Sequence, residues 1–279
     1  MQLGKKGGVM AIEYKSLEQL KSMRKAGLVV QQALEAMKAA VAPGVTTNQL
    51  NEIAVKVLKK NGAKSNFLGY HGYPAVVCAS VNEEIVHGIP NDRKLVEGDV
   101  LSIDFGAIID GWHGDSAISV GVGEISQADQ KMLDVCEESM WRGIAAAQVG
   151  GRLTDISHAV EQYINSQGSY GILRDYGGHG IGRAMHEDPH LLNFGAAGLG
   201  PELKVGMALA IEPMITRGTH KTVVLDDEWT VVSQDKSNGA HFEQSFAFLP
   251  DGKVFVLTSE DGGKSKLASL GVEVSDLLH

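Results

Sequence analysis

Four carboxylates and one histidine in this sequence sit where apolar or glycine-rich neighbours make a solvated surface role hard to assign. Asp104 lies in the apolar run 100–105 (VLSIDF), and Asp115 follows on the far side of Asp110-Gly111. Glu212 closes the run MALAI ahead of Pro213, Glu243 stands between Phe242 and the later run SFAFL, and His179 is set in YGGHGIGR. Buried carboxylates are costly unless they are paired or bind a cation. Four of them with one imidazole form an oxygen-rich shell with one borderline ligand, which suits Mn, Fe(II), Co or Zn better than Cu or a thiolate-type site.

The two aspartates can be placed by turn chemistry. Asp110-Gly111 is the strongest short hairpin signal in the chain. As a two-residue turn it sets Asp115 opposite Gly106, which shares a face with Asp104; a shift of two sets the aspartates directly opposite. Both registers put the two carboxylates on one side of the hairpin, because side chains alternate with period 2. Like charges so close repel unless a cation lies between them; the plainer alternative is the exposed face of an edge hairpin. The glycine flanking of His179 lets the backbone bend an imidazole toward a site. His186 follows seven residues later, while His113, His190 and His241 read as plain polar residues.

The elements that must hold these groups follow from periodicity. Leu17, Leu20, Met23, Val30, Leu34, Met37 and Val41 recur at helical spacing after a capping-box signal at Ser16 and Gln19, and Pro43-Gly44 ends that helix. A second helix follows Thr47 and closes at Asn61-Gly62. Helices are also expected near 127–147 and 154–167, and strands at 75–81, 100–105, 116–122, 207–212, 222–225, 230–233, 242–249 and 253–257. An internal repeat organises them. LVEGDVLSID (95–104) aligns with LKVGMALAIE (203–212) at an offset of 108, so that Asp104 falls on Glu212. Gly44, Thr47 and Asn48 align with Gly151, Thr154 and Asp155 at nearly the same shift. Each half therefore reads helix, helix, strands, with an acid at the end of one strand. The expected class is α+β, with helices packed on one face of a curved, largely antiparallel sheet. We expect a flexible tail at 1–15, a single catalytic domain over 16–257 and a C-terminal appendage at 258–279.

Composition narrows the role. In 279 residues, 43% hydrophobic and 21% charged content is ordinary for a globular chain. A formal net charge of −9 disfavours nucleic-acid binding in bulk. Cys78 and Cys136 are too few for a disulfide scaffold and read as reduced core residues. No signal-peptide h-region and no stretch of about 18 apolar residues is present, so a cytoplasmic protein without a membrane span is expected.

The motifs taken together resemble type I methionine aminopeptidase over roughly residues 16–257. The carriers are Gly69-Tyr70-His71-Gly72-Tyr73-Pro74, Val86-His87-Gly88-Ile89-Pro90, Ile103-Asp104, Gly114-Asp115, Gly178-His179-Gly180-Ile181-Gly182, Ile211-Glu212-Pro213-Met214, Trp229 and Glu243. The resemblance implies the pita-bread fold, two halves related by a pseudo-twofold, in agreement with the repeat. It implies two divalent metal ions, with Asp104 on one, His179 and Glu212 mainly on the other, and Asp115 and Glu243 bridging both. It further implies that Glu212 accepts a proton and that His87 and His186 are non-ligand catalytic histidines. The side-chain pocket would be formed by Phe67, Tyr70, Tyr73, Cys78, His87, Met185 and Trp229, an apolar, aromatic slot suited to a flexible thioether.

The implied activity is removal of the initiator methionine from nascent polypeptides with a small second residue, by a monomer with the ribosome as a candidate partner. The sequence departs from many bacterial relatives at Phe67, Met185 and Gln244, where a cysteine, a bulky aromatic and a histidine are frequent. The rival readings are an Xaa-Pro aminopeptidase or prolidase-like enzyme, whose relatives usually carry an extra N-terminal domain, and a non-catalytic pita-bread binding module, which typically loses the ligands.

Overall fold

The structure, a computed structural model, describes residues 11–278. Helix α1 (Leu17–Ala40) starts at Ser16, whose hydroxyl accepts from the Gln19 amide while the Gln19 side chain accepts from the Ser16 amide. Helix α2 (Thr47–Asn61) repeats the device with Thr46 and Gln49, and Gly62 ends it in the left-handed region. These reciprocal caps satisfy amides that an isolated helix end leaves bare. Helices α3 (Gln127–Ala146) and α4 (Leu153–Gln167) form the corresponding pair of the second half.

Each helix pair covers a sheet. In the first half, strands Val100–Ile109 and Trp112–Gly121 form a hairpin whose turn residues, Asp110 and Gly111, have φ values of 53° and 76°. This positive-φ pair is the form of two-residue turn that matches strand twist. Its register is the first of the two expected: Gly106 pairs with Asp115 and Asp104 with Ala117. On its other edge the Val100–Ile109 strand pairs with Val77–Val81, placing Cys78 opposite Asp104. In the second half the five-stranded order is 254–256, 244–248, 208–211, 178–180 and 187–191, every pairing antiparallel. Two apolar cores result. One packs Val30, Leu34, Leu50 and Leu58 of α1 and α2 on Ile103 and Phe105; the other packs Met140, Ile144, Ile156 and Val160 of α3 and α4 on Leu209, Ile211 and Phe246.

The halves meet edge to edge. Ala117 and Glu243 exchange two main-chain hydrogen bonds, and the Ser116 hydroxyl donates to the Glu243 carbonyl oxygen at 2.5 Å. Helix α1 closes the outer side of this seam so tightly that a Cβ on Gly114 would lie 2.8 Å from the Gly27 amide nitrogen.

Both ends of the chain differ from expectation where they are described. Of the loose tail expected over 1–15, residues 1–10 lie outside the described residues, but Lys15 is buried. Its amide donates to Gly206 O at 2.7 Å and its ammonium lies 2.6 Å from the Glu187 carboxylate. The stretch expected as an appendage from 258 contributes Leu267 and Val274 to the second core. Arg24 of α1 donates to the carbonyl oxygens of Leu257, Ser259 and Glu260. Leu267 sits in a helix of only five residues, Lys264–Ala268, and Arg24 is a charged residue on the buried face of α1, so hydrophobic period announces neither contact.

Candidate metal centre and substrate pocket

The seam is where the acids converge. Asp104 and Asp115 project from one face of the first hairpin, as period 2 and the observed register require. Glu212 leaves the end of strand Ala208–Ile211, and Glu243 immediately precedes strand Gln244–Phe248, whose first residue pairs with Ile211. His179 is the middle residue of strand Gly178–Gly180, paired with Ala210. All five line one cavity of about 290 Å³, and all five are buried.

Ligand atoms of Asp115, His179 and Glu243 lie within 4.8 Å of one another, and His179 Nε2 is 3.5 Å from Glu212 Oε1. His179 Nδ1 lies 2.9 Å from the Gly180 carbonyl oxygen. A carbonyl can only accept, so Nδ1 carries the proton and Nε2 presents its lone pair to the cluster. This is the tautomer a metal-binding histidine adopts.

Electrostatically the site is unfinished. Burial raises every carboxyl: Asp104 to about 7, Glu212 to about 8, and Asp115 and Glu243 well above the usual range, the last two raised further by neighbouring carboxylates. Asp104 Oδ1, Asp115 Oδ1 and Glu243 Oε1 are buried with no hydrogen-bond partner. No lysine or arginine among the described residues forms an ion pair with any of the four. Partnerless oxygens, clustered like charges and one imidazole lone pair are the donor set that divalent cations complete.

Beside the acids lies an apolar compartment. Phe67, Tyr73, Cys78 and Met185 form one buried cluster, with Tyr70 and Trp229 packed against it. Tyr73 meets Trp229 edge-on at 5.0 Å between ring centres, and its hydroxyl donates to the Val77 and Gly88 carbonyl oxygens. His87 stands at φ 63°, an unusual conformation for a residue with a side chain, and its ring packs against Tyr176 and Trp229. Burial lowers its pKa to about 3. His186 shares a 2.8 Å hydrogen bond between Nδ1 and the Tyr70 hydroxyl, and its ring centre lies 4.4 Å from that of His179. Its pKa too is lowered, by burial first and by His179 next.

Every site residue expected from the sequence therefore lines the same cavity. His71, Val86, Tyr176, Val224 and Glu228 line it as well and were not anticipated. Tyr176 precedes His179 by three residues in the same glycine-rich segment and could have been suspected; Val224 and Glu228 arrive from the distant Thr222–Ser233 ribbon and carry no local signal. His241, read as a plain polar residue, is instead almost wholly buried, with Nε2 3.7 Å from Glu212 Oε2. Its separation of two from Glu243 was the available clue, since alternate residues of an extended segment share a face.

Residues 21–248 match the sequence profile of metallopeptidase family M24. Methionine aminopeptidase 1 of Mycobacterium tuberculosis is 51% identical over 251 residues, an alignment covering 88% of this chain and 94% of that protein. The crystal structure of a methionine aminopeptidase from Rickettsia prowazekii superposes with a TM-score of 0.87 at 36% identity, covering 89% of this chain and all of that one. A prolidase from Pyrococcus furiosus shares the fold at a TM-score of 0.69 and 20% identity, with 65% of its length covered.

Proposed function

This chain belongs to metallopeptidase family M24, and we propose that it releases N-terminal methionine from polypeptides with a small second residue, by water attack on the first peptide bond. The observation that carries this reading is one cavity holding both a buried acidic cluster and an apolar, aromatic slot. The slot accommodates an unbranched thioether, for which polarizable contacts with ring edges are favourable.

Asp104, Asp115, His179, Glu212 and Glu243 would hold two divalent cations. Four carboxylates carry four negative charges, which two such cations offset, whereas one would leave two charges buried without compensation. When bound, the ions supply Lewis acidity for the scissile carbonyl and lower the pKa of water. Glu212 would take the proton of the attacking water. With Tyr70 as donor to His186 Nδ1, Nε2–H of that ring would be a donor toward the substrate carbonyl; His87, kept neutral by burial, would face the amide. Phe67, Tyr73, Cys78, Met185 and Trp229 would wall the methionine side chain. The ion could be Mn, Co, Fe or Zn, since availability decides among borderline cations.

Among the described residues no helix is long and apolar enough to cross a membrane. We place the enzyme in the cytoplasm as a monomer acting on nascent chains, there or at the ribosome.

The test is methionine release from Met-Ala-Ser by metal-stripped protein given Mn, Co or Fe, beside an Ala-Pro-Ser control. Metal-dependent release with the proline peptide intact is expected. Cleavage of the proline peptide alone would transfer the chain to the Xaa-Pro reading, and cleavage of neither would make it a binding module.

A further inference from the structure

His241 is the one buried histidine of the cavity region to which no role has been given. Its side chain is 1% exposed, and neither ring nitrogen has a hydrogen-bond partner. A buried imidazole N–H left unmade is costly, so such a group persists where something nearby accepts it. The charged group facing it is Glu212, with Oε2 3.7 Å from His241 Nε2. The other oxygen of the same carboxylate lies 3.5 Å from His179 Nε2. Glu212 is thus flanked by two histidines, one per oxygen.

Both backbones are fixed, so this juxtaposition does not depend on a mobile loop. The His241 amide donates to Ser119 Oγ at 2.9 Å, and Ser119 Oγ donates to the His241 carbonyl oxygen at 2.8 Å. Strand Gly239–His241 pairs with Met214–Thr216 so that His241 stands opposite Met214, two residues beyond Glu212. Asn193 Nδ2 holds the Glu212 carbonyl oxygen at 2.9 Å. Between His241 and Glu243, Phe242 belongs to the α3/α4 core. Alternation then directs the histidine and the glutamate to the opposite, cavity side.

We propose that His241 is a positioning residue whose Nε2–H donates to Glu212 Oε2 and holds that carboxylate with Oε1 presented to His179 and the acidic cluster. A closure of a few tenths of an ångström brings the pair into hydrogen-bond range. The two histidines then divide the work: His179 offers a lone pair to a cation, and His241 offers a proton to the carboxylate that shares the ion. Groups that orient a metal ligand in this way commonly change affinity or activity by about 10–100-fold when removed. The inference rests on the reading of Glu212 as a ligand and proton acceptor.

Three variants test it: His241→Leu, which removes the donor; His241→Asn, polar but too short to reach; and His241→Gln, whose amide reaches a comparable distance. Mn²⁺ binding to metal-stripped protein is read by titration calorimetry, kcat and KM on Met-Ala-Ser by methionine release, and folding by Tm. His241→Leu and His241→Asn are expected to bind Mn²⁺ about tenfold more weakly and to lose about 10–100-fold in kcat, with KM within about threefold. His241→Gln is expected to stay within about threefold of the parent in both. Parental affinity and kcat in the folded Leu or Asn variant overturns the proposal, as does a Gln variant as impaired as the Leu one. If the parent releases no methionine with any metal, the aminopeptidase reading fails, while the Mn²⁺ affinities still decide the role of His241.

Discussion

Ser245 and Asp115 bind each other across the seam between the halves: the serine hydroxyl donates to the Asp115 carbonyl oxygen at 2.7 Å and accepts from the Asp115 amide at 3.2 Å. One wholly buried side chain thus pins the main chain of a proposed bridging ligand to the opposite sheet. Ser245→Ala leaves a buried N–H and a buried C=O unmade, a loss of about 1–3 kcal/mol. A lower urea midpoint with an unchanged m-value is the expected outcome, together with weaker Mn²⁺ binding in calorimetry. Coincident unfolding curves for variant and parent would show that the seam does not need this serine.

The metal-free protein should lose stability as pH rises. Burial raises Asp104 from about 3.8 to about 7 and Glu212 from 4.5 to about 8 in the folded state. The folded chain then holds these protons more tightly than the unfolded one. The stabilisation is fully present below the unfolded values near pH 4 and is lost as pH climbs through 7 to 8. Between the unfolded and folded values, from about pH 5 to about pH 7, the slope approaches about 1.4 kcal/mol per pH unit for each such group. Tm of stripped protein should fall between pH 5 and 8.5, and added Mn²⁺ should raise Tm more at the upper end. A Tm that rises across this range without metal would mean the carboxyls are not held protonated.

The legible part of the molecule is the part written in local chemistry. The Asp110-Gly111 turn narrowed the pairing to two registers, of which the hairpin has the one that pairs Gly106 with Asp115, and the Ser16/Gln19 box marked where α1 begins. The 108-residue offset joined Asp104 to Glu212; the strands align under corresponding helix pairs, but Asp104 lies in the middle of its strand while Glu212 falls just past the end of its own. Contacts between residues far apart in the chain had no such handle. Lys15 meets Glu187 across 172 positions, and Val224 reaches the cavity from a ribbon whose outer face is exposed. Neither follows from a period, a cap or a turn; each depends on how finished halves pack. His241 is intermediate, since its spacing from Glu243 was visible but its burial against Glu212 was not.

Lys15 and Glu187 form an ion pair with side chains 2% and 10% exposed, and Glu187 follows His186 directly. The second carboxylate oxygen accepts from the Ala184 amide at 3.1 Å, so the pair braces the turn that carries His186. Lys15→Met removes one partner and leaves a buried carboxylate, a change worth about 3–5 kcal/mol. Denaturant unfolding should show that loss, and the double change Lys15→Met with Glu187→Gln should recover part of it. A single variant as stable as the parent would mean that solvent already reaches the glutamate.

Tyr70 and His186 set the final prediction, because their 2.8 Å contact ties the tautomer of the ring to the direction of one hydrogen bond. Burial raises the Tyr70 hydroxyl above its ordinary value and lowers His186, so a phenol O–H meets a neutral imidazole. With the phenol as donor, Nδ1 accepts and the imidazole proton resides on Nε2, which is the arrangement the proposed function needs. Tyr70→Phe keeps the ring that packs on the pocket cluster but lets the histidine adopt either tautomer. A neutral hydrogen bond contributes about 0.5–1.5 kcal/mol, which corresponds to a fall in kcat of roughly 2–12-fold with KM little changed. Tyr70→Leu removes the aromatic wall as well and should raise KM in addition. Steady-state release of methionine from Met-Ala-Ser separates the cases: if Tyr70→Phe raises KM and spares kcat, Tyr70 is only a wall of the pocket, and the His186 tautomer is set by some other group.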